Sequence, residues 1–73
     1  MGRQKEDPLF NCIEAARQAK GLTRQQLADA VGVHYQTIGY LERGEYSPSL
    51  TLALRLSEVL GQRVEALFSV RPF

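Results

Sequence analysis

Tyr35, Gln36, Gly39, Tyr40 and Arg43 follow one another at intervals that place them along one side of an α-helix. Their chemistry suits the reading of flat, hydrogen-bonding edges. The Gln36 amide can donate and accept at once, which is the pairing an adenine edge offers in the major groove of a duplex. The two phenol rings present apolar faces with a polar rim, and Arg43 adds a fixed cation. Upstream, Arg24 and Gln25 fall at the start of another helical segment. Free backbone N–H groups and the positive end of the helix dipole favour an anion such as phosphate there.

Other chemistries find no support. The chain has one His and one Cys, no Gly-rich phosphate loop and no carboxylate pair beside a nucleophile. No enzyme activity, cofactor, metal site or small-molecule ligand is therefore expected. His34 lacks a second ligand at metal spacing and reads as a helix-start residue within reach of phosphate. Cys12, next to Ile13, reads as a half-buried structural thiol. No apolar run approaches the ~20 residues that span a bilayer. Met1 to Asp7 is polar without an apolar h-region, and Glu6 stands where a myristoylation signal wants Ser or Thr. With a single cysteine, these features lead to a cytoplasmic expectation and no membrane partner. The chain of 73 residues suffices for one domain with a marginal core. Its net charge of +1 gives no bulk attraction to nucleic acid, so local arrangement must carry any such function.

The elements that position these residues are legible from periodicity and punctuation. Residues 1–7 read as a flexible arm, 8–68 as the domain and 69–73 as a tail; Arg3 and Lys5 in the arm could add a phosphate contact. Asp7-Pro8 reads as a helix start, with Leu9, Phe10, Ile13 and Ala16 at helical spacing and Gly21 as the stop. Thr23 and Gln26 form a capping box for the second helix, which Gly32 ends. The third runs from His34 or Tyr35 to about Glu42, with Gly44 closing it. Ser49 caps a fourth helix carrying the stripe Leu52, Ala53, Leu56, Val59 and Leu60, up to Gly61. A last short helix spans Arg63 to Phe68. No stretch alternates with period two, so no strand is expected. Arg55, Glu58 and Arg63 read as plain surface charges.

Between Thr23 and Gly44 the residue types have a mechanical logic. Two helices joined by a very short turn must cross steeply, so their backbones approach closely at the elbow. Ala28 is small enough to allow this, and Gly32 can take the left-handed conformation that turns the chain. Leu27, Val31, Val33, Ile38 and Leu41 then converge on one core. The outer side of the third helix keeps Tyr35, Gln36, Gly39, Tyr40 and Arg43, a face that a helix lying in a major groove should present.

The run L-T-R-Q-Q-L-A-D-A-V-G-V-H-Y-Q-T-I-G-Y-L-E-R-G, Leu22 to Gly44, resembles the lambda-repressor-like, Cro-type helix-turn-helix family, also called the XRE family. The resemblance extends from Asn11 to Phe68. It takes in P-S-L at Pro48 to Leu50 and the closing L-G-x-x-V-x-x-L-F at Leu60 to Phe68. It implies an all-α, compact five-helix domain, and members mostly regulate or repress transcription by binding palindromic operators as dimers. Carried onto this chain, it implies base reading by Tyr35, Gln36, Thr37 and Tyr40. It implies phosphate contacts from Arg24 and Gln25 and, around the following loop, from Arg43, Tyr46 and Ser47. It also implies an ion pair between Arg17 and Glu42, tying the first helix to the third.

Departures from the family pattern bear on detail. His34 stands where Ser or Thr usually caps, which predicts a weak or water-mediated cap. Tyr35 replaces a common polar residue and shifts base preference toward apolar contact. Gly39 weakens its helix by roughly 1 kcal/mol against Ala, and Glu45 replaces a common Lys. Two functions remain open on the sequence. One is a homodimeric operator-binding regulator joined through the C-terminal helix and tail. The other is a protein-interaction module such as an antitoxin or co-activator adaptor, which the low charge and the apolar Val70 and Phe73 would suit.

Overall fold

Over residues 9–73, which the computed structural model describes, five helices and two short strands form. In chain order these are β1 (Phe10–Asn11), α1 (Ile13–Ala19), α2 (Arg24–Val31), α3 (Tyr35–Glu42), α4 (Leu50–Leu60), α5 (Val64–Leu67) and β2 (Phe68–Ser69). The all-α five-helix class expected from the sequence is what the chain adopts, with a two-residue ribbon added to it. The expected arm and the Asp7-Pro8 helix start lie outside the described residues.

The helix boundaries follow from where orphan backbone groups find partners. At α2, Thr23 Oγ1 accepts from the Gln26 N–H at 3.0 Å while Gln26 Oε1 accepts from the Thr23 N–H at 2.8 Å. The expected capping box is thus complete, worth about 1 kcal/mol on typical caps. Ser49 Oγ accepts from the Leu52 N–H and starts α4 in the same way. Gly32 ends α2 with φ at +80°, and both its own N–H and that of Val33 reach back to the Ala28 carbonyl. Any residue with a Cβ would be strained at that φ.

The core is a single cluster: Ile13 and Ala16 of α1, Leu27, Ala28 and Val31 of α2, Ile38 and Leu41 of α3, Leu52, Ala53, Leu56 and Leu60 of α4, then Leu67 and Phe68. Val33, Val59 and Val64 pack against it, half-buried. α2 packs against both α3 and α4, as the short elbow requires. Ala28 is fully buried at that crossing. Ala28→Leu is expected to destabilise the domain by about 1–3 kcal/mol through overpacking. The shift should be read as a lower urea midpoint at unchanged slope; an unmoved midpoint would show that the elbow has room to spare.

Three expectations are corrected. Leu9 and Phe10 do not belong to a helix. Phe10 and Asn11 pair antiparallel with Ser69 and Phe68 respectively, so α1 starts only at Ile13 and strands do exist. Consequently Phe68 leaves the last helix and Ser69 is ladder, not tail. The physical reason is Asn11. Its Oδ1 accepts from the Ile13 N–H at 3.0 Å, turning the chain into α1, while its Nδ2 donates to the Leu41 carbonyl at 2.9 Å near the end of α3. The Cys12 N–H continues the pairing onto the Leu67 carbonyl. Finally, Arg55 is more than a surface charge: its Nη1 lies 3.5 Å from the Val31 carbonyl, at the end of α2. Cys12 is half-buried as expected, its Sγ 3.2 Å from the Ala66 carbonyl.

Candidate nucleic-acid interface

α3 buries Ile38 and Leu41 and leaves Tyr35, Gln36 and Tyr40 exposed. Together with Arg24, Gly39 and Arg43 these three line a shallow concavity of about 280 Å³. Every residue that the sequence placed on the outer face of α3 therefore meets in one groove, and α2 contributes its first residue. Gly39 departs from the expectation in one respect. It forms a buried floor, because the Arg43 side chain folds back along the helix and covers it.

His34 starts α3 more firmly than expected. Its Nδ1 accepts from the Gln36 N–H at 3.1 Å, so the imidazole is a direct cap in place of a hydroxyl. The same ring stacks on Tyr35, with centroids 4.8 Å apart, and so fixes the phenol at the head of the groove. Thr37 is half-buried and does not line the groove. Gln25 is exposed, its Nε2 donating to Asp29 at 2.8 Å. Tyr46 and Ser47 are exposed in the loop before α4 but stand apart from the groove.

Beneath the groove lies a charge network. Arg17 Nε donates to Glu42 at 2.6 Å, and its Nη1 to the Leu22 carbonyl at 2.8 Å. Side-chain exposures of 9% for Arg17 and 1% for Glu42 make this a buried pair. The second oxygen of Glu42 accepts from Arg24 Nε at 2.9 Å, and Glu14 lies 4.0 Å from Arg24 Nη2. The hydrogen bond from Arg24 to Glu42, and then their charge attraction, raise the pKa of the guanidinium above its ordinary value. Arg24 thus has two functions. It completes the neutralisation of a buried carboxylate while half of its side chain stays open to solvent at the start of α2.

Every cation of the groove is tethered internally: Arg24 to Glu42, and Arg43 to Glu45 at 3.3 Å. The sequence did not identify Asn11, Glu14 or Arg55 as parts of this frame. The signal for Asn11 was its place two residues before an apolar helix start, a spacing at which an Asn side chain turns back onto the backbone. Glu14 and Arg55 carried none, since their partners are distant in the chain. Among the described residues no group of acidic, His or Cys side chains could hold a metal ion, and no helix is long and apolar enough to cross a membrane.

A sequence model of the helix-turn-helix family matches residues 13–67. An uncharacterized HTH-type transcriptional regulator from Methanothermobacter thermautotrophicus is 49% identical over 57 residues, 77% of this chain and 83% of that protein. One from Archaeoglobus fulgidus is 45% identical over 56 residues, covering 77% and 80%. Among solved structures, the restriction-modification controller protein C.AhdI from Aeromonas hydrophila superposes with a TM-score of 0.69 at 31% identity, over 74% of this chain and 82% of that one. A putative DNA-binding protein from Bacteroides fragilis gives a TM-score of 0.76 at 24% identity, over 84% and 98%, a likeness of fold alone.

Proposed function

The chain belongs to the XRE-type helix-turn-helix family of DNA-binding transcriptional regulators, and from that premise we propose that it represses transcription by occupying a palindromic operator as a dimer. α3 lies in the major groove, with Tyr35, Gln36 and Tyr40 toward base edges and Thr37 at the margin. Arg24, Gln25 and His34 approach one phosphate strand, and Tyr46 and Ser47 the other. The observation that carries this reading is the groove itself: its amide, phenols and guanidinium converge on one open side of the helix that the elbow projects outward.

Dimerisation follows from a weak electrostatic term. With the two cations of the groove internally paired and a net charge of +1, a single copy gains little from phosphate neutralisation. Useful occupancy then needs two half-sites about one helical turn apart. α5 offers a partner little, because Leu67 is buried and Val64 half-buried. The exposed apolar groups are Val70 and Phe73 in the tail and Leu50 and Leu54 along α4. Those same groups are what favours the second reading, a protein-interaction module.

Selection of bound sites from random duplexes, followed by gel shift on the selected operator, tests the proposal. A two-half-site motif is expected, and Gln36→Ala should weaken binding to it by about 1–3 kcal/mol while relaxing one position of the motif. Equal, salt-sensitive binding to selected and scrambled duplexes would remove sequence-specific recognition and leave the protein-partner reading.

A further inference from the structure

We infer that Arg43 reads the edge of a guanine, and that Gly39 is the seat from which it does so. The inference deepens the DNA-binding proposal and rests on it, since the family resemblance would put Arg43 on the phosphate backbone.

Its place in the groove comes first. Arg43 lines the same concavity as Tyr35, Gln36 and Tyr40, not the outer side of the loop with Tyr46 and Ser47. Its guanidinium is folded toward the start of α3, the direction in which long helical side chains lean. A Cβ added at Gly39 would lie 3.3 Å from Nη1 and 4.0 Å from Nη2, so the fork lies across the bare backbone of that residue. This explains a glycine in a helix interior, where it weakens the helix.

The fork is also oriented. Its carbon lies 5.2 Å from the centre of the Tyr40 ring, a cation–π arrangement. Nε donates to Glu45 at 3.3 Å. The described residues give Nη1 and Nη2 no hydrogen-bond partner, and a pair of guanidinium N–H groups is what the O6 and N7 acceptors of guanine take. Glu45 sharpens the distinction. Its carboxylate occupies Nε and leaves the two terminal N–H groups as the donor pattern that a base edge reads.

The test compares wild type, Arg43→Lys, Arg43→Ala and Gly39→Ala by selection from random duplexes, with salt titrations on the selected operator. Arg43→Lys keeps the charge and loses the fork. Wild type is expected to require a G·C pair at one position of each half-site. Arg43→Lys and Arg43→Ala should lose that preference by roughly 10- to 100-fold while other positions persist, and Gly39→Ala should weaken it less, since it displaces only the tip of the Arg43 side chain. Arg43→Lys should leave the salt slope unchanged, and Gly39→Ala should melt no lower than wild type. Retention of the full motif by Arg43→Lys, or uniform weakening by Arg43→Ala with the slope reduced by about one, would place Arg43 on phosphate and overturn the inference alone. Absence of any motif for wild type would overturn the DNA-binding proposal with it.

Discussion

Glu42→Ala is expected to lower the thermal midpoint by roughly 15–30 °C, from a loss of about 3–5 kcal/mol. The carboxylate is buried and holds two guanidinium groups, Arg17 at 2.6 Å and Arg24 at 2.9 Å. Removing it strands the Arg17 cation among apolar neighbours with only the Leu22 carbonyl for company. A domain of this length has roughly 4–11 kcal/mol in total, so the variant should sit near the edge of folding at room temperature. Arg17→Ala should also destabilise the domain, but less, because Arg24 still neutralises Glu42. Circular-dichroism melts of the two variants check the order. A smaller loss for Glu42→Ala than for Arg17→Ala would mean that Arg24 does not share the carboxylate.

Ile38→Ala is the second large effect. Ile38 is fully buried and is the inward anchor of the helix whose other side forms the groove. Truncation leaves a cavity and should cost about 2–5 kcal/mol. Its functional signature differs from that of a groove residue. Below the melting transition the variant should weaken binding to every duplex alike, since α3 as a whole is less firmly held, without changing which bases are preferred. A selective change at one base would contradict this and would point to a local shift of Tyr35 or Tyr40. Urea denaturation supplies the stability and site selection the preference.

Much of this architecture was legible because its determinants are local. Thr23 with Gln26, Ser49 with the Leu52 N–H, and Gly32 at the turn all act within a few residues of themselves, so chain order is enough to find them. The outward face of α3 followed from helical spacing alone. What stayed hidden depends on partners far apart in sequence. Phe10 and Asn11 sit beside apolar residues at helical intervals and have no alternation to betray a strand. Only the return of Phe68 and Ser69 makes them one. Arg55 reaches the Val31 carbonyl, and Asn11 the Leu41 carbonyl, across folds of the chain that composition does not register. The firmness of the His34 cap is hard to read from sequence because hydroxyl caps are the common solution, yet an imidazole nitrogen accepts from a backbone N–H just as a side-chain oxygen does. Gly39 was placed on the right side of its helix, but its cover of guanidinium came from a side chain one turn away that could have pointed elsewhere.

The ribbon of β1 and β2 closes a loop that contains almost the whole described chain. Closing a loop of that length early would forfeit much chain entropy for very few bonds. The helices and their elbow, whose contacts are short-range, should assemble first, and the two strands should zip together last. By the same reasoning the clasp opens first on the way out. Amide protons at Phe10, Asn11 and their partners should then exchange with solvent while those of α2 and α4 remain protected.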